Sequence, residues 1–214
     1  MTEEVMGLRE RKKLETARRI IRTAIALFVE RGFDNVSVQE IADAADVSKM
    51  TVFNYFGTKE DLVFWPMEEH FGDAARAVRE RPPGESALDA VRRQFLEMIE
   101  TRDPAVGLHN EPFARQLREL VMCTPVLMER AFLAAQKGTR DLAAHLAEET
   151  GDLMLATVAA AMISAARNAL IEEHYRRIDA GEPVTTVAAE APERADRAFK
   201  LVEHGLGDYT RKAP

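Results

Sequence analysis

Basic side chains are concentrated near the start of this 214-residue chain, in a segment with the apolar spacing of one helix. Between residues 8 and 31, eight basic residues stand against three acidic ones, a net charge of +5 in a chain whose formal charge is −7. Such a cluster either binds phosphate groups or forms an ordinary solvated helix face. The acidic total excludes a protein that coats nucleic acid with its whole surface. The basic residues are Arg9, Arg11, Lys12, Lys13, Arg18, Arg19, Arg22 and Arg31.

The residues that usually perform catalysis or bind metals do not form a recognisable motif. Cys123 is the single cysteine, which excludes a disulfide framework and zinc sites that need two or four cysteines. The histidines are scattered, and the chain has no phosphate-binding glycine loop, no Gly-x-Ser-x-Gly turn and no His-Glu-x-x-His helix. We therefore expect no catalytic residues, no metal and no cofactor.

Two short capped helices follow the basic segment. The apolar period predicts a first helix over residues 8–31 that ends at Gly32. Ser37 and Glu40 have the spacing of a capping box, which begins a second helix that ends near Ala45. Asp46 falls where a tight turn needs a left-handed residue, and Ser48 can cap a third helix that ends at Tyr55. The order helix, tight turn, helix is the arrangement that carries a recognition helix into the DNA major groove.

The remainder of the chain is predicted to be helical, with no strand candidates. Thr58 and Asp61 resemble a further capping box, from which one long helix is expected to reach Arg79. Later breaks at 81–84, 124–125, 151 and 181–183 separate further helices, the last of them near 191–204. The prediction is an all-α chain with about nine helices.

The most apolar stretch, residues 153–166, is rich in alanine and is followed by Arg167. A transmembrane helix needs roughly 20 apolar residues, so this stretch is expected to be too short to cross a bilayer. The N-terminus shows no secretory signal pattern. We expect a soluble, cytoplasmic protein with no membrane partner.

The stretch over residues 41–62, IADAADVSKMTVFNYFGTKEDL, resembles the DNA-binding domain of the TetR family of bacterial transcription regulators. The resemblance extends back through AIALFVERGF at residues 24–33 and covers about the first 65 residues without a gap. The chain departs from the family pattern at Asp46, where glycine is usual, and at Phe53, where tyrosine is commoner.

The resemblance implies a helix-turn-helix DNA-binding domain over residues 1–65 and a helical effector-binding and dimerisation domain over residues 66–214. It also assigns the DNA contacts. Asn54 suits adenine, its helix neighbours suit base edges and thymine methyls, and Ser48 and Lys59 suit phosphate. The predicted DNA-binding residues are Gln39, Ser48, Lys49, Met50, Thr51, Phe53, Asn54, Tyr55 and Lys59.

A homodimer is expected, because two helix-turn-helix units one helical turn of DNA apart match a palindromic double-stranded operator. Small or apolar stripes on the last two helices predict a four-helix interface, unless these stripes face the monomer's own core. The predicted interface residues are Ala156, Ala159, Ile163, Ala166, Leu170, Phe199, Val202 and Leu206.

Methionine and phenylalanine side chains in the middle helices are expected to enclose a small, largely hydrophobic effector, although many of them can equally be ordinary core. The predicted ligand-binding residues are Phe95, Met98, Phe113, Leu117, Met122, Met128 and Phe132.

The function implied is a repressor that the effector releases from its operator. An activator or a ligand-independent regulator of the same family remains open, because the sequence does not give the operator's position. From another class, a helical carrier or enzyme with an incidental basic helix is the alternative, and it would need a polar constellation in its pocket.

Overall fold

The computed structural model describes residues 7–205, and within that range the chain is all-helical. The predicted all-α class is confirmed, with ten α-helices and two short 3₁₀ segments where about nine helices were expected. The helices are α1 (Leu8–Arg31), α2 (Val38–Ala44), α3 (Lys49–Tyr55), α4 (Asp61–Phe64), α5 (Asp73–Arg79), α6 (Ala87–Glu100), α7 (Pro112–Cys123), α8 (Pro125–Thr150), α9 (Leu153–Asp179) and α10 (Val184–His204). The 3₁₀ segments are Trp65–His70 and Pro104–Val106.

The extra helix comes from a break in the segment that was predicted to be one helix reaching Arg79. The reciprocal hydrogen bonds of the predicted capping box are present, since Thr58 N donates to Asp61 Oδ2 at 2.7 Å and Asp61 N donates to Thr58 Oγ1 at 3.2 Å. The regular α-helix itself begins at Asp61, after Glu60. The α-helix then stops at Phe64 and a 3₁₀ segment follows. The prediction of one helix is wrong because Pro66 has no amide hydrogen, and its ring opposes the carbonyl one turn earlier.

The last helix is longer than predicted. It begins at Val184 and not near residue 191, and Pro192 lies inside it. The proline removes one backbone hydrogen bond. However, the buried residues Val187, Ala191, Ala195 and Phe199 recur every four positions across it. Their burial in one apolar core keeps the helix continuous through the proline.

The described residues group into two compact units. Unit 1 comprises residues 7–68 and Pro112–Ala131, and unit 2 comprises residues 69–111 and 132–205. In unit 1, α1 packs on α2, α4 and α7 around Phe28, Ile41 and Val52. In unit 2, α6, α9 and α10 pack around Phe95 and Phe199. The division into functional domains near residue 65 stays a prediction.

α9 is longer than its apolar stretch suggested. It continues through Arg167 to Asp179, so the prediction of a segment too short to span a bilayer is wrong. By length and composition alone it could cross a membrane, a test that core helices of soluble proteins also pass. Only 22% of its most apolar part is buried. The helix therefore has an apolar face directed away from the core of unit 2.

Gly138 in α8 marks a close backbone approach within unit 2. A Cβ atom built on this glycine would lie 2.2 Å from the carbonyl oxygen of Phe71. Cβ atoms in real proteins do not lie this close to another heavy atom. The Phe71 carbonyl oxygen belongs to the backbone, so it cannot rotate away as a flexible side chain could. The glycine is therefore required by packing, since it has no unusual φ.

We expect Gly138→Ala to lower the free energy of unfolding by about 1–3 kcal/mol, because the added methyl overpacks a filled site. Urea denaturation followed by circular dichroism measures the change. Gly72→Ala is the matched control, since nothing lies within 4 Å of a Cβ there. Equal stability of the two variants would contradict the close approach.

Candidate nucleic-acid interface

The start of α2 is tied to the end of α1 by charged and capping contacts. Ser37 N donates to Glu40 Oε2 at 2.8 Å, and Glu40 N donates to Ser37 Oγ at 3.2 Å, which confirms the predicted capping box. Arg31 Nη2 also lies 2.7 Å from Glu40 Oε1. The backbone hydrogen bond from Ser37 and then the Arg31 guanidinium lower the pKa of Glu40 to about 2. These contacts set where α2 begins.

The turn between α2 and α3 has the geometry expected of a helix-turn-helix. Asp46 takes the left-handed conformation with φ of 52°, as predicted, and Val47 N donates to Ala42 O at 3.0 Å. Ser48 then caps α3, because its Oγ accepts from Thr51 N at 3.0 Å. A non-glycine residue is tolerated here because aspartate adopts this conformation at modest cost.

α3 presents one face to the core and another to solvent. Val52 is buried, whereas Met50 is 67% exposed and Phe53 43% exposed. Lys49 and Asn54 are also exposed. We call these four exposed residues, Lys49, Met50, Phe53 and Asn54, the recognition surface. It combines a cation, an amide and two apolar groups, the side-chain types that read base edges and thymine methyls.

The remaining predicted contacts flank the recognition surface. Ser48 is exposed and Thr51 half-buried, and their hydroxyls share a hydrogen bond of 2.8 Å. Tyr55 is half-buried, with Lys13 Nζ 6.0 Å from its ring centre. Gln39 is exposed, and its amide donates to Asp43 Oδ1 at 2.8 Å. Each of these side chains keeps polar atoms that DNA can contact.

Lys59 is engaged inside unit 1. Its ammonium donates to Phe33 O at 2.8 Å and to Val36 O at 3.2 Å. The same ammonium lies 4.2 Å from the centre of the Phe33 ring. Two of its three donors therefore hold the loop between α1 and α2, and one remains for the phosphate contact, which stays a prediction. Sequence analysis missed this tie, because the partners lie 26 and 23 residues away.

Arg130 is a second positioning residue that sequence analysis did not single out. Its guanidinium pairs with Asp61, donates to Thr58 Oγ1 at 3.3 Å, and lies 4.9 Å from the Phe64 ring centre. Burial alone would raise the pKa of Asp61, but hydrogen bonds from Arg130 and Thr58 lower it overall. Arg130 thus braces the capping box that begins α4, over a separation of 69 residues.

The basic residues of α1 are exposed, in keeping with their predicted solvated or phosphate-binding face. Five of them border a groove of about 820 Å³ together with Leu14, Glu15 and two threonines. The five are Arg11, Lys12, Arg18, Arg19 and Arg22. A groove with this excess of cations attracts an anionic polymer.

Residues 20–64 match the family model described as bacterial regulatory proteins, tetR family. The HTH-type transcriptional regulator TcmR of Streptomyces glaucescens is 27% identical over 190 residues, covering 86% of this chain and 84% of TcmR. This chain carries a TetR-family DNA-binding segment. It is accordingly a transcription regulator with a helix-turn-helix, in a family whose members are not enzymes.

Further similarities span most of the chain. The putative mycofactocin biosynthesis transcriptional regulator MftR of Mycobacterium tuberculosis is 26% identical over 200 residues, covering 92% of this chain and 93% of MftR. The structure of SmeT in complex with triclosan has a TM-score of 0.57 at 16% identity, covering 94% of this chain and 99% of that one. NalD of Pseudomonas aeruginosa has a TM-score of 0.56 at 16% identity, covering 89% and 96%. At this identity the two structures show a shared fold.

The predicted effector residues differ widely in burial and belong to both units. Phe95, Met98 and Leu117 are buried, and Phe113 is half-buried. Met122, Met128 and Phe132 are exposed. Of the seven, Phe95, Met98 and Phe132 belong to unit 2 and the others to unit 1. Phe95 and Met98 lie in the core cluster of unit 2.

The predicted dimer residues mostly face inward. Ala156, Ile163, Leu170 and Phe199 are buried in the core of unit 2, and the half-buried Ala159, Ala166 and Val202 pack against that core. Leu206 lies outside the described residues. The exposed apolar stripe of α9 consists instead of Met154, Val158, Ala161 and Ala165. Its spacing of four, three and four residues is visible in the sequence. However, the inward stripe has a similar apolar spacing, so the sequence did not distinguish the two.

No group of three or more His, Cys, Asp and Glu residues that could hold a metal ion occurs in residues 7–205. Cys123 is exposed. The histidines differ in environment, and His174 is the one that is completely buried. The candidate nucleic-acid interface consists of the recognition surface, the basic face of α1, and the capped helices that position them.

Lys59→Ala should lower the free energy of unfolding by about 2 kcal/mol, because it removes two hydrogen bonds from a charged donor. Lys49→Ala is the matched control and should change it by less than about 0.5 kcal/mol, since Lys49 is exposed. Urea denaturation of both variants is the measurement. A Lys59 variant as stable as the Lys49 variant would show that the loop does not depend on this ammonium.

Proposed function

We propose that this TetR-family protein is a homodimeric repressor that binds a palindromic operator through α3 and leaves it when a small, largely apolar ligand binds. The observation that carries the proposal is the recognition surface, four exposed side chains on a helix whose opposite face is buried. A seven-residue helix with Met50 and Phe53 exposed to water gains nothing for folding from those positions. Their exposure is accounted for by a partner surface.

The recognition surface suits the major groove. The Asn54 side-chain nitrogen can donate to adenine N7, and its side-chain oxygen can accept from adenine N6. Met50 and Phe53 can contact thymine methyls, and Lys49 can donate to guanine or to phosphate. The cations on α1 supply further phosphate contacts, which set affinity without reading sequence.

Dimerisation is supported by the exposed stripe of α9. Met154 is 64% exposed and Val158 48% exposed, and Ala161 and Ala165 continue the same face toward the middle of the helix. Small residues at this spacing let two helices approach closely. Pairing of this stripe with its copy would remove the apolar face from water and present two recognition helices to one palindrome.

Repression and ligand release are supported by relatives and by linkage. The HTH-type transcriptional repressor DhaR of Mycobacterium sp. (strain GP1) is 31% identical over 86 residues, covering 39% of this chain and 43% of DhaR. SmeT, which shares the fold, has been solved with triclosan bound. A ligand that favours a conformation unable to bind the operator weakens DNA binding, and DNA weakens ligand binding by the same factor. We place this activity in the bacterial cytoplasm, where the operator lies.

The test of base reading is Asn54→Ala, measured by fluorescence anisotropy on a site selected from random DNA. We expect the binding free energy for the selected site to fall by about 1–3 kcal/mol and the preference at one base pair to relax, because the amide reads one base. Arg19→Ala on α1 is the comparison. It should weaken binding to all DNA sequences similarly and make the affinity less dependent on salt concentration. If Asn54→Ala loses equal affinity for selected and random DNA, Asn54 does not read sequence.

The test of dimerisation is Val158→Glu, measured by sedimentation equilibrium. A carboxylate at the centre of the stripe would be desolvated without a partner, so we expect a monomer at concentrations where the unaltered protein is dimeric. Gln116→Glu, at an exposed position of α7, is the control with the same added charge and should remain dimeric. A dimeric Val158→Glu variant would place the interface elsewhere.

A further inference from the structure

The inward face of α9 carries ionisable residues among its apolar ones. Ile163, Arg167, Leu170, His174 and Arg177 recur at steps of four, three, four and three, the spacing of one helix face. Ile163, Leu170, His174 and Arg177 are buried, and Arg167 is half-buried as a residue although its Nε atom has no solvent access. Burying charge is costly unless it is paired. The two arginines of this face differ in how they meet that requirement.

Arg177 is paired with two carboxylates, although its Nη1 has no geometrically ideal hydrogen bond. Its guanidinium contacts Glu182, with Nε 3.0 Å from Oε1, and Glu190, with Nη1 2.9 Å from Oε2. The hydrogen bond that Arg177 donates to Glu182 is the largest of the effects that raise the pKa of Arg177. This arginine holds the turn between α9 and α10 and has a structural role.

Arg167 has no carboxylate partner among the described residues. Its Nε has no hydrogen-bond acceptor, and its Nη2 donates to the Met98 sulfur at 3.9 Å. The guanidinium carbon lies 5.9 Å from the centre of the Phe95 ring. Burial lowers the pKa of Arg167, and Asp73 opposes this effect only through space. The guanidinium nevertheless remains charged, because its ordinary pKa is far above neutrality.

Asp73 is the acidic group whose charge acts on Arg167 through space, and it is already engaged. One of its oxygens lies 3.0 Å from His70 Nδ1, and the other pairs with Arg76. Asp73 is therefore shared with other bases and does not neutralise Arg167 by contact. A second unpartnered atom, Nε2 of the buried His174, lies in the same core, with that ring stacked 6.5 Å from Phe95. Unsatisfied buried polar atoms are rare in native proteins and call for an explanation.

The surroundings of Arg167 define the partner that would satisfy it. A guanidinium binds a carboxylate through two parallel hydrogen bonds, and its Nε–H is one of the donors used in that geometry. Phe95 and Met98 beside it are apolar and suit a hydrocarbon skeleton. A phosphate dianion would need a second unshared cation, and Arg76 is already paired with Asp73.

We propose that the interior of unit 2 beside Arg167 binds an organic carboxylate whose apolar skeleton packs on Phe95 and Met98. This inference rests on the proposed ligand-controlled function and deepens it, since the ligand becomes an amphipathic acid and not a neutral hydrophobic molecule. Arg167 is the anion-binding residue of the site. Its unpaired state in the free protein is the feature that the ligand completes.

The test compares decanoate with 1-decanol and decyl phosphate by isothermal titration calorimetry on the full-length protein. Arg167→Met is the test variant, because methionine keeps the unbranched apolar stem and removes the charge. Arg197→Met, at an exposed position of α10, is the matched control. We expect the unaltered protein and Arg197→Met to bind decanoate about tenfold or more tightly than 1-decanol, with decyl phosphate no tighter than decanoate. We expect Arg167→Met to bind decanoate and 1-decanol within about twofold of each other.

Thermal unfolding without probe separates a binding role from a structural one. Arg167→Met should be at least as stable as the unaltered protein, because an unpaired buried charge is removed. A destabilised variant that keeps the preference for decanoate would overturn the proposal. So would no saturable binding of decanoate, equal binding of decanoate and 1-decanol by the unaltered protein, or tighter binding of decyl phosphate.

Operator binding is measured separately, by anisotropy without any probe. Specific DNA binding together with no carboxylate preference would refute this inference and leave the regulator intact. Carboxylate binding together with no specific DNA binding would refute the proposed function and leave the anion site intact.

Discussion

The recognition surface depends on the burial of a few apolar side chains behind it. α3 has seven residues, and a helix of that length is not stable alone in water because its nucleation cost is not recovered. Val52 anchors it from within, Phe56 follows at its end, and both are buried. The cap by Ser48 satisfies an orphan amide at its start. Packing and capping together keep the opposite face of α3 in a fixed position, which is what reading a base requires.

Three cations extend this constraint beyond neighbouring residues. Arg31 joins α1 to the capping box of α2, Lys59 holds two carbonyls of the intervening loop, and Arg130 braces the capping box before α4. Each contact links a helix end to another segment. Helix ends are where backbone groups lack partners, so an external cation or carboxylate has the most to satisfy there. The orientation of α3 is therefore controlled by contacts that do not themselves touch the recognition surface.

α9 shows how one helix serves two purposes. Its inward stripe joins the core of unit 2, and its outward stripe remains apolar and exposed. Arg167 on the inward stripe is charged without a contacting carboxylate, whereas Arg177, ten residues later, has two. Burying an incompletely paired charge costs stability, and a protein that keeps it has a reason other than folding.

Local sequence determined most of the N-terminal helices. The capping boxes at Ser37 and Thr58, the left-handed Asp46 and the cap at Ser48 were predictable because each depends on residues within a few positions. The all-α class followed from similar local patterns, and the family from the resemblance of residues 41–62. The break at Pro66 was also predictable from the sequence, although it was not predicted. The continuation of α10 through Pro192 was not predictable from local sequence, because a buried face compensates for the lost hydrogen bond.

Tertiary structure alone decided which of several equivalent patterns faces which environment. α9 carries two apolar stripes, and periodicity cannot say which one is core, so the predicted dimer residues turned out to lie largely inside unit 2. The roles of Lys59 and Arg130 depend on partners 23 to 72 residues away. The environment of Arg167 also depends on distant segments. An arginine is expected at the surface, but the fold encloses this one without a contacting carboxylate. Spacing along a chain records local geometry, whereas burial and pairing of charge exist only after distant segments meet.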